Sequence, residues 1–126
     1  KYMYSVKVRE HIMIAHSFKH PGFGPAQKMH GATYVVDVSF FAEALNDMAV
    51  VIDIALAHDA LKEVLSLLNY QNLDELPQFE GKLTTTEFLA KYIHDEVKAK
   101  VAPEFTGKLK VTLGESHVAW ASYESA

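Results

Sequence analysis

At 126 residues the chain has the length of one domain, residues 1–126, large enough to bury a core without disulfide or metal staples. A formal net charge of −4, with no dense basic stretch, argues against nucleic acid as the main partner; no apolar run reaches membrane-span length and no charged-then-apolar signal segment opens the chain. Cysteine is absent, which excludes disulfides, thiolate ligands and a cysteine nucleophile and suits a reducing cytoplasm, whereas seven histidines point to imidazole chemistry.

The first element is a strand. From Tyr4 to His16 the even positions read Tyr, Val, Val, Glu, Ile, Ile, His, a period of two with one buried face. Met3 reads as a natural start, with Lys1 and Tyr2 as additions ahead of it. The stretch "KHPGFGPAQ" (19–27) is broken by glycine and proline and predicts a loop. Tyr34, Val36, Val38 and Phe40 repeat the alternation as a second strand, paired with the first as a hairpin. "AVVIDI" (49–54) reads either as a short strand or as the lead-in to a helix. Leu61, Val64, Leu65 and Leu68 then form the stripe of a helix over about 55–68, with Asp53 as its N-cap.

A polar connection (69–82) leads to "TTTEFLAKYIHDEVKAKV". Thr84 and Glu87 have capping-box spacing, and Phe88, Leu89, Tyr92, Ile93, Val97 and Val101 form the buried stripe. "APEFTGK" ends that helix. Alternation returns over Leu109, Val111, Leu113, Glu115, His117, Ala119, Ala121 and Tyr123, with Gly114 as a bulge or break between two last strands. The order is strand, strand, helix, helix, strand, strand. An antiparallel sheet with both helices on one face is an α+β arrangement. Its open edges predict edge-to-edge oligomers.

His16 closes one strand and His30 opens its partner, so the hairpin brings two imidazoles together, as a zinc site requires. Catalytic zinc takes three protein ligands, and His117, His20 and His11 are the remaining candidates, although His11 has the opposite parity to His16. His58 and His94 sit among charged helical neighbours and read as solvated. His117 shares parity with Glu115 and is a candidate third ligand or acid/base group. Glu115 follows Val111 and Leu113 on an apolar face, where a carboxylate is costly unless something binds it. A carboxylate accepts two parallel N–H bonds, the pair that a 2-amino-4-oxo pyrimidine ring of guanine or pterin offers. Lys19 and Lys28 are candidate phosphate contacts.

"IAHSF", "MHGATY", "VVIDI", "TTTEFLAKYI" and "TLGESHVAWASYE", in this order, resemble the 6-pyruvoyl-tetrahydropterin synthase family, which includes the bacterial 6-carboxytetrahydropterin synthases of the queuosine pathway. The resemblance implies the tunnelling fold, with sheets assembling into a barrel as a homo-trimer or homo-hexamer, and no membrane partner. It also implies Zn²⁺, a substrate derived from 7,8-dihydroneopterin triphosphate, His16 and His30 as metal ligands, and Glu115 as the anchor of the pterin ring. The chain departs from the family pattern at three places. Ala32 stands where the second histidine of "HGH" is usual, Ala26 where a cysteine is usual, and Asn69 and Tyr70 where an Asp-His pair is usual. The function expected is a zinc-dependent pterin enzyme, a lyase of this type with altered catalytic groups. The alternatives are a non-catalytic pterin- or purine-binding protein and a metal-independent pterin aldolase.

Overall fold

The computed structural model describes residues 3–125, so the expectation about Lys1 and Tyr2 lies outside the described residues. Four strands, β1 (Tyr4–His16), β2 (His30–Ala42), β3 (Lys108–Ser116) and β4 (Ala119–Glu124), form one antiparallel sheet in the order β1-β2-β3-β4. Helices α1 (Ile54–Ser66) and α2 (Thr86–Val101) are inserted between β2 and β3. No helix among the described residues is long and apolar enough to cross a membrane.

The even residues of β1 and β2 and the odd residues of β3 turn Val8, Ile12, Ile14, Val36, Val38, Phe40, Leu109, Val111 and Leu113 into a layer of core side chains. Against it pack Ala57, Leu61, Val64 and Leu65 of α1 and Leu89, Ile93 and Val97 of α2. The sheet's other face carries Arg9, Met13, Thr33 and Trp120. Removing the inner layer from water drives the assembly, and the register is strongly fixed because a one-residue slip would turn every apolar side chain outward.

Several local details differ from the sequence expectations. The 19–27 loop contains a 3-10 turn at Pro21–Gln27, and "AVVIDI" is a lead-in rather than a strand. There Val51 and Ile52 are buried, and Asp53 Oδ1 accepts the N–H of Ala55 at 2.9 Å. The cap of α2 is Thr85, whose Oγ1 accepts from Phe88 N at 3.1 Å, one residue later than the capping-box reading. Gly114 itself stays paired, with Val35 and Trp120; the bulge falls one residue later, at Glu115, where the register shifts between Gly114 and Ser116, and the chain reverses at His117 and Val118.

His94 is buried, not solvated, because it shares the α2 core stripe with Ala90, Ile93 and Val97; its ring meets Tyr123 edge-on at 4.8 Å. His58 is half-buried and paired with Glu10 at 2.5 Å.

One connection bears directly on the site. Residues 69–74 are stitched along the outer edge of β1. Asn69 Oδ1 accepts Met13 N at 3.0 Å, Tyr70 N reaches Met13 O at 2.7 Å, and Ala15 N reaches Gln71 O at 3.0 Å. Asp74 then accepts both the Ser17 N–H, at 3.3 Å, and the Ser17 hydroxyl, at 2.5 Å. This edge therefore holds the end of β1, where His16 sits, in place.

Candidate functional site

His16 and His30 are direct register partners across β1 and β2. Their ring centroids lie 4.7 Å apart at 63°. His16 is fully buried, and its Nδ1 is 3.1 Å from Thr84 Oγ1. His30 Nδ1 lies 2.8 Å from the Lys28 carbonyl. A carbonyl only accepts, so His30 Nδ1 carries the proton and a neutral ring has its free lone pair on Nε2. Burial pushes the His16 imidazole down to about 4; the neighbouring His30 adds to this, while Asp74 and the Thr84 contact oppose it. His16 is thus a neutral ring at neutral pH.

Phe18 joins this pair to an open cleft. Its ring lies 4.6 Å from that of His16, 5.5 Å from that of His30 and 4.7 Å from that of Phe23. Phe18 and Phe23, with Thr85, Thr86, Glu87 and Glu115, line a cleft of ≈ 470 Å³, within the range of small-molecule sites. Glu115 follows Leu113 and Gly114 at the end of the core as the unpaired residue of the β3–β4 register shift; its carboxylate is exposed, and the described residues give it no hydrogen-bond or ion-pair partner. Opposite it starts α2, whose Thr86 and Glu87 N–H groups, like those of any first helical turn, have no intrahelical acceptor. Tyr34 is buried beneath. Burial raises its phenol, a hydrogen bond to Thr86 counters that, and the Glu115 and Glu87 charges raise it further. The cleft therefore offers an acceptor carboxylate, hydroxyls and an apolar wall of two mutually tilted aromatic rings, a combination suited to a planar heterocycle with adjacent N–H groups.

The other candidates fall elsewhere. His117 is exposed in the β3–β4 turn and lines a cleft of ≈ 330 Å³ with Arg9, Thr33, Ser116 and Trp120, among others. Glu115 borders that cleft as well. His20 is exposed and spends its Nδ1 on the N–H of Gly22 at 2.9 Å. His11 is exposed on the outer face, as its parity predicts. Lys19 borders a different cleft with Ser17, Asp74 and Lys82, and Lys28 is exposed.

As a zinc site, the His16–His30 pair is incomplete. The next inward residue of β2 is Ala32, register partner of Ile14. Among the described residues no group of three or more His, Cys, Asp or Glu is placed to hold a metal ion. The two tethered imidazoles suit zinc in kind and spacing but supply only two of the three protein ligands that a catalytic site uses.

The family model described as 6-pyruvoyl tetrahydropterin synthase matches residues 5–126. The chain belongs to this family. A relative in Dictyostelium discoideum, 6-pyruvoyl tetrahydrobiopterin synthase, is 32% identical over 77 residues, which are 60% of this chain and 57% of that protein's length. The match thus spans little more than half of that relative. The structure of Caenorhabditis elegans 6-pyruvoyl tetrahydropterin synthase superposes with a TM-score of 0.86 over 99% of this chain and 97% of that one, at 22% identity. The Plasmodium falciparum 6-pyruvoyl tetrahydropterin synthase does so with a TM-score of 0.80 over 99% of both chains, at 17% identity. At these identities the likeness is one of fold, and it is the tunnelling fold that the sequence resemblance implied.

Seen as a member of the 6-pyruvoyl tetrahydropterin synthase family, the chain contributes more to its cleft than sequence reading found. Thr84 was read as a cap and instead holds His16; the signal was a run of three threonines where one cap suffices. Phe18 carries no role in the sequence expectation and Phe23 falls in the predicted 19–27 loop, although an aromatic residue between two glycines is unusual in a solvated loop.

Proposed function

We propose that this chain binds a pterin in the Glu115 cleft and acts on 7,8-dihydroneopterin triphosphate or a related pterin, as a lyase resembling 6-pyruvoyl- or 6-carboxytetrahydropterin synthase with altered catalytic groups. The observation that carries this reading is the exposed Glu115 carboxylate sharing one cleft with Phe18, whose ring also touches both His16 and His30. In this reading Glu115 accepts the paired N–H groups of the pyrimidine edge, and the wall of Phe18 directs the ring's side chain toward the imidazoles.

Among the described residues, those near His16 and His30 do not complete a zinc site. The pair is assigned a zinc affinity below that of a three-imidazole set. His117 enters as an acid–base group only where a second copy brings its hairpin turn to the cleft. The edge of β4 and the part of the β1 edge ahead of the segment covered by residues 69–74 support assembly into a homo-trimer or homo-hexamer. The test is incubation with 7,8-dihydroneopterin triphosphate, with and without added zinc, followed by chromatography of the pterin products. Turnover that is lost in Glu115→Gln supports the reading.

A second reading, pterin or purine binding without turnover, is favoured by one observation. Asn69, at the position where the family resemblance leads one to expect a carboxylate, accepts the Met13 N–H with its side-chain oxygen, while Tyr70 is exposed. Ala26 and Ala32 likewise carry no proton-transfer group. Tight binding with no product, across metals, selects this reading over the first.

A further inference from the structure

We propose that Phe18 and Phe23 form an aromatic wall that makes the Glu115 cleft selective for a flat, conjugated bicyclic ring over a puckered, reduced one. The proposal rests on the pterin reading above and adds the residues that choose the ring's shape.

Glu115 alone leaves the faces of a bound ring unheld. A carboxylate that accepts two parallel N–H bonds fixes one edge of a heterocycle in the plane of the ring, but it grips neither face. The faces need an apolar partner, and the cleft supplies it on one side. Phe18 and Phe23 pack at 4.7 Å with a 49° tilt, both remain half-buried, and both line the cleft that holds Glu115. Behind the wall Phe18 packs on the buried His16 at 4.6 Å, so the cleft face of the wall is backed by the imidazole pair. Stacked and tilted aromatic contacts need a flat partner; a ring puckered at saturated carbons loses part of that contact area.

Phe23 lies on a turn whose hydrogen bonds close mainly on itself. No residue of the Pro21–Gln27 turn is buried. Among the described residues the hydrogen bonds of residues 19–27 run to residues within 18–28, and the Phe23 ring packs against those of Phe18 and His20. Gly24, at φ 53° and ψ −126°, occupies a region open in practice only to glycine, which gives this segment its bend directly after Phe23.

The experiment is a set of equilibrium binding titrations with neopterin, 7,8-dihydroneopterin and 5,6,7,8-tetrahydroneopterin as probes. They are run on the full chain, on Phe18→Leu and Phe23→Leu, which keep apolar bulk, and on Glu115→Gln. The wild type is expected to prefer the two flatter rings. Phe23→Leu is expected to weaken their binding about five- to tenfold, the scale of one aromatic contact, while tetrahydroneopterin binding changes by less than about twofold. Glu115→Gln is expected to weaken all three rings alike. Phe23 lies in an exposed turn, so its variant carries the test even where Phe18→Leu perturbs folding. An unchanged ratio among the three rings in Phe23→Leu, with binding still lost in Glu115→Gln, overturns the wall and leaves the pterin reading standing. No binding of any of the three rings by the wild type overturns both.

Discussion

His16 and His30 face one another as register partners on adjacent strands, with ring centroids 4.7 Å apart and each Nδ1 held by a neighbouring oxygen. The position that would complete a triangle is a methyl group, Ala32, on the same face of β2 two residues beyond His30. Wild-type protein is therefore expected to bind zinc weakly in competition with a chromophoric chelator. Ala32→His is expected to tighten binding by more than an order of magnitude, because it adds the third nitrogen that tetrahedral zinc requires. His117→Ala is expected to leave the stoichiometry unchanged, since His117 sits in the β3–β4 turn. Loss of zinc in that variant would place the third ligand on the last hairpin instead.

Adjacent threonines at the start of α2 have different tasks, and stability measurements can separate them. Thr85 caps the helix through Phe88 N at 3.1 Å, so Thr85→Ala is expected to cost about 1 kcal/mol. Thr84 is buried and meets His16 Nδ1 at 3.1 Å, so Thr84→Val, which keeps the shape, is expected to cost about 1 kcal/mol as well. Only the second change should also weaken zinc or cobalt binding, because it releases the orientation of His16. Urea denaturation alongside a metal titration checks both.

Acid should destabilise the metal-free protein through His16. Its imidazole titrates near 6.5 when unfolded and at about 4 when folded, with burial as the main cause. Between those values the unfolded chain takes up a proton that the folded chain refuses. The contribution is therefore fully present above about 6.5, fades as the pH falls toward 4, and changes no further below that. The whole effect is roughly 3 kcal/mol. His16→Gln, which does not titrate, is expected to flatten this part of the pH profile. Urea midpoints measured from pH 4 to pH 7 in the presence of a chelator test the sign.

The sheet was legible in the sequence because period-two alternation is a direct image of burial: Ile12, Ile14, Val36 and Val38 had one way to face. His16 and His30 were legible for the same reason, since parity and hairpin pairing bring them together. Glu115 was legible as a carboxylate breaking an apolar alternation. The reading failed where one residue could satisfy two local rules. Thr84 and Thr85 are both good caps, and only the demand of His16 for a buried partner decides between them. His94 sits beside Asp95 and Glu96, which suggested solvent, but its helical spacing from Ala90 and Val97 carries it inward. The parity of His117 was not legible, because the bulge at Glu115 and the turn that follows reset the alternation. Phe23 depends on a turn whose shape no periodicity describes.

The Asp74 clamp gives the last prediction. Asp74 lies in the short turn after the segment stitched to β1, and its two oxygens accept the N–H and the hydroxyl of Ser17 at 3.3 and 2.5 Å. Ser17 is only 4% exposed, so water cannot readily replace either bond. Asp74→Ala is therefore expected to cost about 2 kcal/mol, the penalty for leaving buried donors unpaired. Asp74→Asn should cost less, because its single amide oxygen still accepts one of the two. The consequence should extend beyond stability. Ser17 adjoins His16, so freeing it loosens the strand end that holds one imidazole against the other. Wild type and Asp74→Asn, compared at equal folded fraction, should differ in metal affinity by about tenfold. Equal affinity would mean that Thr84 and the β1–β2 pairing suffice to hold His16, and that Asp74 serves only to close the edge of the sheet.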